Sequence, residues 1–596
     1  MRREISQAEY EAECVAGFPL ELQAQMRESR IREESISNRI LSNIWLATRA
    51  DQLNERMRGI PFDLIESDHA LREKAQRLAQ LCSSSGDIDG MRRIAEHYGI
   101  EPPDPERHSR LGQYQRLSCP RWWRRKLRVR IGCVAEETMR AAGLVRRGRA
   151  PYVTDFSLRR RRQQLTLLGR AIRDATITDD SGLEVPLADA VSASIANPRN
   201  RRTEVMVRLR GLETIARKRG DSAIFVTLTA PSAYHAQCAK GGPNPRYAEF
   251  TVRAAVKSLN ENWQRSRSAF HRGKILVYGF RIAEPHHDGT PHFHILLFAS
   301  PSRTKEITDI LKSYWLSEYR DEPGAEAHRV DIKDLDLESG SVVGYLAKYI
   351  AKNIDGFQVG DDNESRLDAS DSSERVDAWA STYSTRQFQQ IGGPPVGLWR
   401  ELRRLKTPVE DAILEKAREA ADKDDYAEFV ESLGGIEVGR RCTLTLWREQ
   451  TGELTMYGEV RGPVIAGVRT GNCRLRTRQK TWRIRWGTGA ATRAATRAGT
   501  RAGVGGFTGT GAATGAGTRA GTRAGDGGLT GTSAATRAGT RAGDGGLTGT
   551  GAATDAATCA GVGGLTGTGA ATGAATRAGV GELIRIGAAS SLDPWQ

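Results

Sequence analysis

The sequence predicts an α+β fold in which helices pack on one mostly antiparallel sheet, with further helical segments on either side. Three observations predict it. Charged, helix-periodic sequence gives way near residue 219 to short β-branched runs. The elements that follow have the order β-α-β-β-α-β-α, and helical periodicity returns over residues 375–435.

Local patterns place the elements of this core between residues 219 and 360. The first strand is β-branched and alternating, and a helical apolar spacing follows Pro245. The next two strands flank an Asp288-Gly289 pair, which predicts a hairpin turn. The last helix stops at Gly356. In order, the predicted elements are strand 224–229, helix 252–263, strands 274–284 and 292–299, helix 304–319, edge strand 328–335 and helix 341–354.

The flanking regions differ from the core in composition. Residues 1–218 form a basic, mostly helical region, and residues 361–487 hold a helical part followed by a small extension. Residues 488–596 are a Gly/Ala/Thr/Arg tail in which a unit recurs every 18 residues, as at Leu529 and Leu547. Each unit carries almost no large apolar side chain, so its ordering entropy is not offset and we expect the tail to be disordered.

The charge of the chain favours a polyanionic partner. Its 596 residues carry a formal net charge of +16 and a pI near 9.6. Arginines cluster at 121–130, 146–149 and 159–162, interleaved with Trp122, Trp123 and Tyr152, and phosphate contact is a better explanation than a solvated face.

Cysteine usage and hydropathy indicate the compartment. The eight cysteines are scattered without a Cys-x-x-Cys pair, as expected of reduced thiols. The polar start of the chain does not resemble a signal peptide, and no apolar run approaches the ~20 residues of a membrane span. We therefore expect a soluble, cytoplasmic protein with neither a membrane nor a small-molecule substrate as partner.

A cluster of histidines predicts a metal site. Residues 284–298 hold four of the ten histidines, and His292 and His294 share one face of their strand. A third ligand would leave coordination positions open, as in catalytic sites. A strict two-residue turn would put Glu284 on the wrong face, but a one-residue bulge would bring it beside the histidines. We prefer Glu284, with His286 or His287 as alternatives, and a phosphodiester substrate favours Mg or Mn over zinc.

Two tyrosines on the last predicted helix are candidate nucleophiles. Tyr345 and Tyr349 lie one turn apart, with Lys348 and Lys352 adjacent. A phenol with a pKa near ~10 needs a metal-polarised phosphate and nearby cations to attack, and the two lysines could bind that phosphate. Core packing of the tyrosines and simple solvation of the lysines are the alternatives. A metal site with such tyrosines suggests DNA strand cleavage through a covalent intermediate.

Three ordered motifs carry a resemblance to a known family. They are Phe225-Val-Thr-Leu-Thr-Ala-Pro-Ser-Ala-Tyr-His235, Glu284-Pro-His-His-Asp-Gly-Thr-Pro-His-Phe-His294 and Gly344-Tyr-Leu-Ala-Lys-Tyr-Ile-Ala-Lys-Asn-Ile-Asp-Gly356. The sequence resembles the phage replication gene A protein family (GPA), which belongs to the HUH endonucleases, rolling-circle replication initiators. Similarity extends over roughly residues 40–435 and excludes the repeat tail.

The resemblance implies an HUH endonuclease core that nicks single-stranded origin DNA and forms a 5′-phosphotyrosyl intermediate. The nick frees a 3′-OH that primes synthesis, and a second tyrosine serves the transfer that rejoins the displaced strand. The sequence contains no Gly-x-x-x-x-Gly-Lys-Ser/Thr phosphate loop, so a host helicase is the implied partner. A non-catalytic origin-binding protein, or a relaxase or transposase of the same superfamily, remains an alternative.

Overall fold

The computed structural model describes most of the chain up to residue 486. The described residues are 6–56, 68–357, 365, 367–439, 441–471 and 473–486, together with eight two-residue strands between residues 519 and 560. Residues up to Trp486 belong to one compact unit, and residues 487–580 belong to a second. None of the described helices is both long and apolar enough to span a bilayer.

Helices dominate the first part of the chain. They are α1 (Gln7–Val15), α2 (Leu20–Ile36), α3 (Arg39–Arg56), α4 (Asp68–Ser85), α5 (Ile88–His97), α6 (Arg110–Leu117), α7 (Pro120–Ala141) and α8 (Asp155–Arg173). Helix α7 begins at a proline, whose missing N–H costs nothing in the first turn. Its Trp122 and Trp123 are buried in the core of this helical region.

A small sheet and two helices lead into the central sheet. They are β1 (Thr176–Asp179), β2 (Glu184–Pro186), α9 (Leu187–Ala193) and α10 (Pro198–Arg219). Helix α10 ends at Gly220, whose φ of +67° is the left-handed conformation that glycine adopts without strain.

The central sheet has five strands in the order β6-β3-β5-β4-β7, and every neighbouring pair is antiparallel. Its elements are β3 (Ser222–Thr229), α11 (Val252–Arg272), β4 (Tyr278–Pro285), β5 (Pro291–Ala299), α12 (Thr304–Trp315), α13 (Ala325–His328), β6 (Val330–Leu335), α14 (Val343–Ile354), α15 (Ala369–Tyr383) and β7 (Phe388–Ile391). Mixed helix and antiparallel sheet agree with the predicted α+β class.

The two faces of this sheet pack against different helices. Alternate residues of β3 and β5, such as Ile224 and Ile295, bury one face against α11 and α12. Phe225 and Leu296 belong to the opposite face, which packs against α10 and α14. The period of two along each strand produces this division. On the face that carries Phe225 and Leu296, the end of the sheet nearest the β4–β5 hairpin holds polar side chains.

The last part of the first unit contains strands that the sequence did not indicate. Three helices, α16 (Val396–Leu402), α17 (Ala412–Asp422) and α18 (Tyr426–Ser432), precede β8 (Thr445–Glu449), β9 (Val464–Arg469), β10 (Arg474–Arg476) and β11 (Trp482–Arg485). Strands β8, β9 and β10 form one sheet, whereas β11 pairs with β1. The helix predicted over 375–435 is also interrupted, because Phe388 begins β7 and pairs with β4.

The repeat tail forms short parallel ladders in its described residues. Each strand pairs with the strand one 18-residue period away, as Arg519 does with Arg537 and Leu529 with Leu547. The prediction of disorder is not confirmed for these residues, and for the rest of residues 488–596 it lies outside the part of the chain that the structure describes.

Candidate metal centre

The β4–β5 hairpin brings Glu284 onto the histidine face of the sheet. Glu284 is directly opposite His292, and the hairpin closes with Pro285 opposite Pro291. Residues 286–290 therefore form a loop longer than the predicted two-residue turn, and the ladder has no bulge. The predicted two-residue turn and the predicted bulge were therefore both wrong, but the longer loop places Glu284 on the same face of the sheet as His292 and His294. Gly289 takes a φ of +81° in this loop.

Glu284, His292 and His294 together form a group that could hold a metal ion. One ligand atom from each lies within 4.8 Å of the others, and all three residues are buried. The two imidazole Nε2 atoms face each other at 2.9 Å. Two facing ring nitrogens and a carboxylate are donors that a divalent cation would join, so the residues fit the predicted metal. Neither of the alternative ligands His286 and His287 belongs to this group.

Neighbouring side chains orient these ligands. Nδ1 of His294 lies 3.3 Å from the hydroxyl of Thr227, the residue opposite it on β3. The side-chain amide of Asn353 donates a hydrogen bond to Glu284, and Gln387 in turn donates to Asn353 at 3.0 Å. Such outer contacts fix the direction of metal ligands. Sequence reasoning missed all three residues, although Asn353 lies one helical turn after Tyr349.

The imidazole of His292 is held in its neutral form. Burial, together with the nearby His286 and His294, holds the pKa of His292 well below its usual value. A neutral ring offers a lone pair to a metal, whereas a protonated ring does not.

Helix α14 places Tyr349 beside this centre, with Tyr345 next to it along the helix. The ring of Tyr349 lies 4.1 Å from the ring of His294, and the rings of Tyr345 and Tyr349 are 6.4 Å apart. Both tyrosines are partly buried, while Leu346 and Ile350 fill the core. The helix therefore turns its apolar stripe into the core and Tyr349 toward the three candidate ligands.

The lysines of α14 occupy different surroundings. Lys348 is exposed, and its Nζ lies 4.8 Å from the ring centre of Tyr349. Lys352 is buried, and its Nζ lies 3.4 Å from Glu284. A further cation, Lys333 of β6, was not predicted; Tyr345 and then Asp331 raise the pKa of this lysine.

A cleft of about 770 Å³ opens over the metal group. Its lining comes from the hairpin, from the segment after β3, from the segment around α13 and from α14. The residues that line it include Arg147, Ser232, His235, Gln237, Glu322 and His328.

Three contacts from outside the sheet clamp the hairpin loop. Arg140 of α7 donates from Nε to the carbonyl oxygen of Asp288 at 2.8 Å. The backbone N–H of Tyr152 donates to the carbonyl of His287, and the indole N–H of Trp379 donates to the carbonyl of Gly289. Helix α7, the segment that follows it and α15 thus fix the loop that joins two of the candidate metal ligands.

Most of the arginine clusters are engaged within the chain. Arg124 and Arg128 form ion pairs with Asp68, and Arg161 pairs with Asp377. Trp122, Trp123 and Tyr152 are buried, so they do not present rings to a partner. Exposed positions such as Arg121 and Arg125 remain available for phosphate contact.

A sequence profile of the bacteriophage replication gene A protein (GPA) family matches residues 47–357, more than half of the chain. The chain belongs to this family. The matched range contains the hairpin, the metal group and both tyrosines of α14, and it ends where the predicted catalytic region ends. Membership confirms the resemblance that the three sequence motifs carry.

Curated relatives are identical to the chain at about a third of the aligned positions. The replication gene A protein of Escherichia phage P2 is 35% identical over 393 residues, which cover 62% of this chain and 51% of the relative. The probable replication protein P12 of Pseudoalteromonas phage PM2 is 35% identical over 378 residues, which cover 61% and 58%. A probable replication endonuclease from a prophage-like region of Salmonella typhimurium is 35% identical over 363 residues, which cover 58% and 45%.

The chain spans about half the length of the curated relatives it matches. No solved structure is significantly similar to it.

Proposed function

We propose that this protein is a phage or prophage replication initiator that nicks single-stranded origin DNA and rejoins strands during rolling-circle replication. The single observation that carries the proposal is the contact between Tyr349 and His294, which brings a candidate nucleophile against a group able to hold a metal. Relatives with replication names, one of them called a probable replication endonuclease, support it.

Glu284, His292 and His294 would hold Mg or Mn. The bound cation would supply positive charge to a non-bridging oxygen of the scissile phosphate. The tyrosine oxygen attacks phosphorus and loses its proton, the bond from phosphorus to the 3′-oxygen breaks, and that oxygen takes up a proton. The products are a 5′-phosphotyrosyl protein and a free 3′-OH, so the energy of the phosphodiester is kept for rejoining.

The remaining residues would position the phosphate. Lys348 is exposed beside both tyrosine rings and would bind it. Lys352 was predicted to share this role, but its ion pair with Glu284 gives it a second one, which is to hold a metal ligand. Asn353 supports the same carboxylate.

Two tyrosines one helical turn apart suit a cycle of two transfers. One tyrosine holds the 5′ end of the parental strand while the other cleaves the regenerated origin. Both contact Phe225 of β3, with ring centres 4.7 Å away for Tyr345 and 5.6 Å away for Tyr349. A small shift of DNA along the centre would therefore present the phosphate to either. Strand separation is assigned to a host helicase.

Incubation with single strands of its own gene, in the presence of Mg or Mn, tests the proposal. We expect site-specific nicking and a covalent DNA adduct that peptide mapping locates to the segment containing Tyr345 and Tyr349. Each single Tyr→Phe variant should keep some nicking and be impaired in the second transfer that completes a replication round, whereas the double variant should form no adduct. Replacing both His292 and His294 by alanine should abolish cleavage and leave salt-sensitive DNA binding intact.

Tyr314→Phe is the matched control, because Tyr314 packs against the opposite face of the sheet. An adduct in the double Tyr→Phe variant at the level of the unmodified protein would refute the tyrosine mechanism. Binding without cleavage by the unmodified protein would instead indicate an origin-binding protein that is not an enzyme.

A further inference from the structure

Five aromatic rings form a continuous row through the metal centre. Tyr349 contacts His294 at 4.1 Å between ring centres, and His294 contacts His292 at 4.6 Å. The row continues through His286, 4.0 Å from His292, to His235, 5.2 Å from His286. The tyrosine and His235 therefore lie at opposite ends of the row, with two candidate metal ligands between them.

A buried carboxylate holds the ring of His235 in place. Its Nδ1 lies 3.4 Å from a carboxylate oxygen of Asp288, which is completely buried. The same oxygen accepts a hydrogen bond from the backbone N–H of Ala236 at 2.9 Å and lies 3.6 Å from Arg140. A carboxylate on one ring nitrogen leaves the other nitrogen for a ligand. About a fifth of the His235 side chain is exposed, and the residue lines the cleft.

The wall of the cleft around His235 is polar and is held together by hydrogen bonds. The amide side chain of Asn244 donates to the carbonyl oxygens of Ser232 and His235, which ties the two ends of the segment after β3 together. Gln237, next to Gly143, is 4% exposed, and its amide oxygen has no hydrogen-bond partner among the described residues. A buried amide without a partner costs free energy and therefore points to a ligand.

Among the described residues, Glu322 supplies the one carboxylate that lines this end of the cleft. It accepts a hydrogen bond from the backbone N–H of Ser232 at 2.9 Å. His328 and Arg147 also line the cleft. The chemistry of this end suits a phosphate and a nucleobase, because it offers an amide, imidazoles and a guanidinium.

We propose that this end of the cleft, around His235 and Gln237, binds the single-stranded DNA nucleotide that carries the leaving 3′-oxygen. The inference rests on the proposed function and extends it. In-line displacement at phosphorus puts the attacking and leaving oxygens on opposite sides of the phosphate. Since the attacking tyrosine occupies one end of the row of rings, the leaving nucleotide lies toward the other end.

The subsite then holds the same nucleotide in both directions of the reaction. In the nick, the bond from phosphorus to the 3′-oxygen breaks and the new 3′-OH stays in the subsite. In rejoining, that 3′-OH loses its proton and attacks the phosphotyrosine, and the tyrosine oxygen leaves and recovers a proton. A strand that ends in 3′-OH must therefore occupy the subsite before it can be joined.

Rejoining kinetics test the proposal. The covalent adduct of the full chain is first formed on single-stranded DNA that contains the mapped nick site. It is then mixed with increasing concentrations of an oligonucleotide that ends at the nick in a 3′-OH. His235→Asn and Gln237→Ala should each raise the oligonucleotide concentration that gives half-maximal joining by roughly fivefold to tenfold, which is the effect of one lost hydrogen bond. The joining rate at saturating oligonucleotide should change little.

His271→Ala is the matched control, because His271 lies exposed in the last turn of α11. Adduct formation by each variant shows that it is folded. An unchanged half-maximal concentration in both subsite variants would overturn the inference while leaving the proposed function intact. No adduct in the unmodified protein would overturn the proposed function first. A lower saturating rate with an unchanged half-maximal concentration would assign these residues to the chemical step and not to binding.

Discussion

Replacing Arg140 by methionine should weaken both the fold and the metal centre. Arg140 is completely buried, and its guanidinium lies 3.4 Å from Glu137 and 3.6 Å from Asp288. It also donates to the carbonyl of Asp288 and to the hydroxyl of Thr290, each at 2.8 Å. Methionine fills a similar volume but leaves two buried carboxylates without their cation.

The size of the effect follows from these contacts. Removing one partner of a buried ion pair costs about 3–5 kcal/mol, so we expect the free energy of unfolding to fall by about 4 kcal/mol. The hairpin loop between Glu284 and His292 would also lose its hydrogen bonds from Arg140. We expect the affinity for Mn²⁺ to fall roughly tenfold, the lower end of the range for residues outside the ligand shell.

Urea unfolding followed by tryptophan fluorescence measures the first effect, and calorimetric titration with Mn²⁺ measures the second. Arg159→Met is the control, because Arg159 is 61% exposed in its ion pair with Glu21. An exposed pair contributes about 1 kcal/mol or less. If Arg140→Met were no less stable than Arg159→Met and bound Mn²⁺ normally, the clamp would have no function in positioning the metal ligands.

Three further predictions concern other parts of the chain. Burial raises the pKa of Glu136 to about 6, although hydrogen bonds from two hydroxyl groups oppose the shift. The contribution of the Glu136 carboxyl to the free energy of unfolding is therefore complete below pH ~4.5 and is lost as the pH rises through ~6. Unfolding measured from pH 4.5 to 7 should show the unmodified protein losing about 2 kcal/mol relative to Glu136→Gln, and parallel curves would contradict this. Truncation after Trp486 should leave solubility and nicking rate unchanged, and loss of folding would show that the tail packs on the rest. Replacing both Arg121 and Arg125 by alanine should reduce the slope of log affinity for single-stranded DNA against log salt by about 0.7 per lost phosphate contact; an unchanged slope would exclude them from the DNA interface.

The central strands and the site helix could be predicted because their patterns are local. Alternation along each strand predicted that His292 and His294 share a face of the sheet, and the structure buries Phe293 on the other face. The spacing of Tyr345 and Tyr349 on α14 was predictable for the same reason. Glu284 was the preferred third ligand, and the structure places it in the metal group.

The wrong predictions concern places where segments that are distant in the sequence pack together. Asp288 and Gly289 resemble a tight turn, but the buried Asp288 carboxylate contacts His235 and Arg140, and a longer loop results. Strand β11 pairs with β1, which lies about three hundred residues earlier in the chain. No local pattern records such a partner. The same reason explains why Asn353 and Thr227 were missed, since their importance depends on what lies opposite them.

The ion pair between Lys352 and Glu284 balances the charge of this carboxylate when no cation is bound. A buried carboxylate without a counter-charge would cost several kcal/mol, but the ammonium group 3.4 Å away already balances it. The hairpin and α14 can therefore keep their arrangement before a cation arrives and after it departs. Any cation that this group binds would therefore exchange locally, at side chains that are already in place.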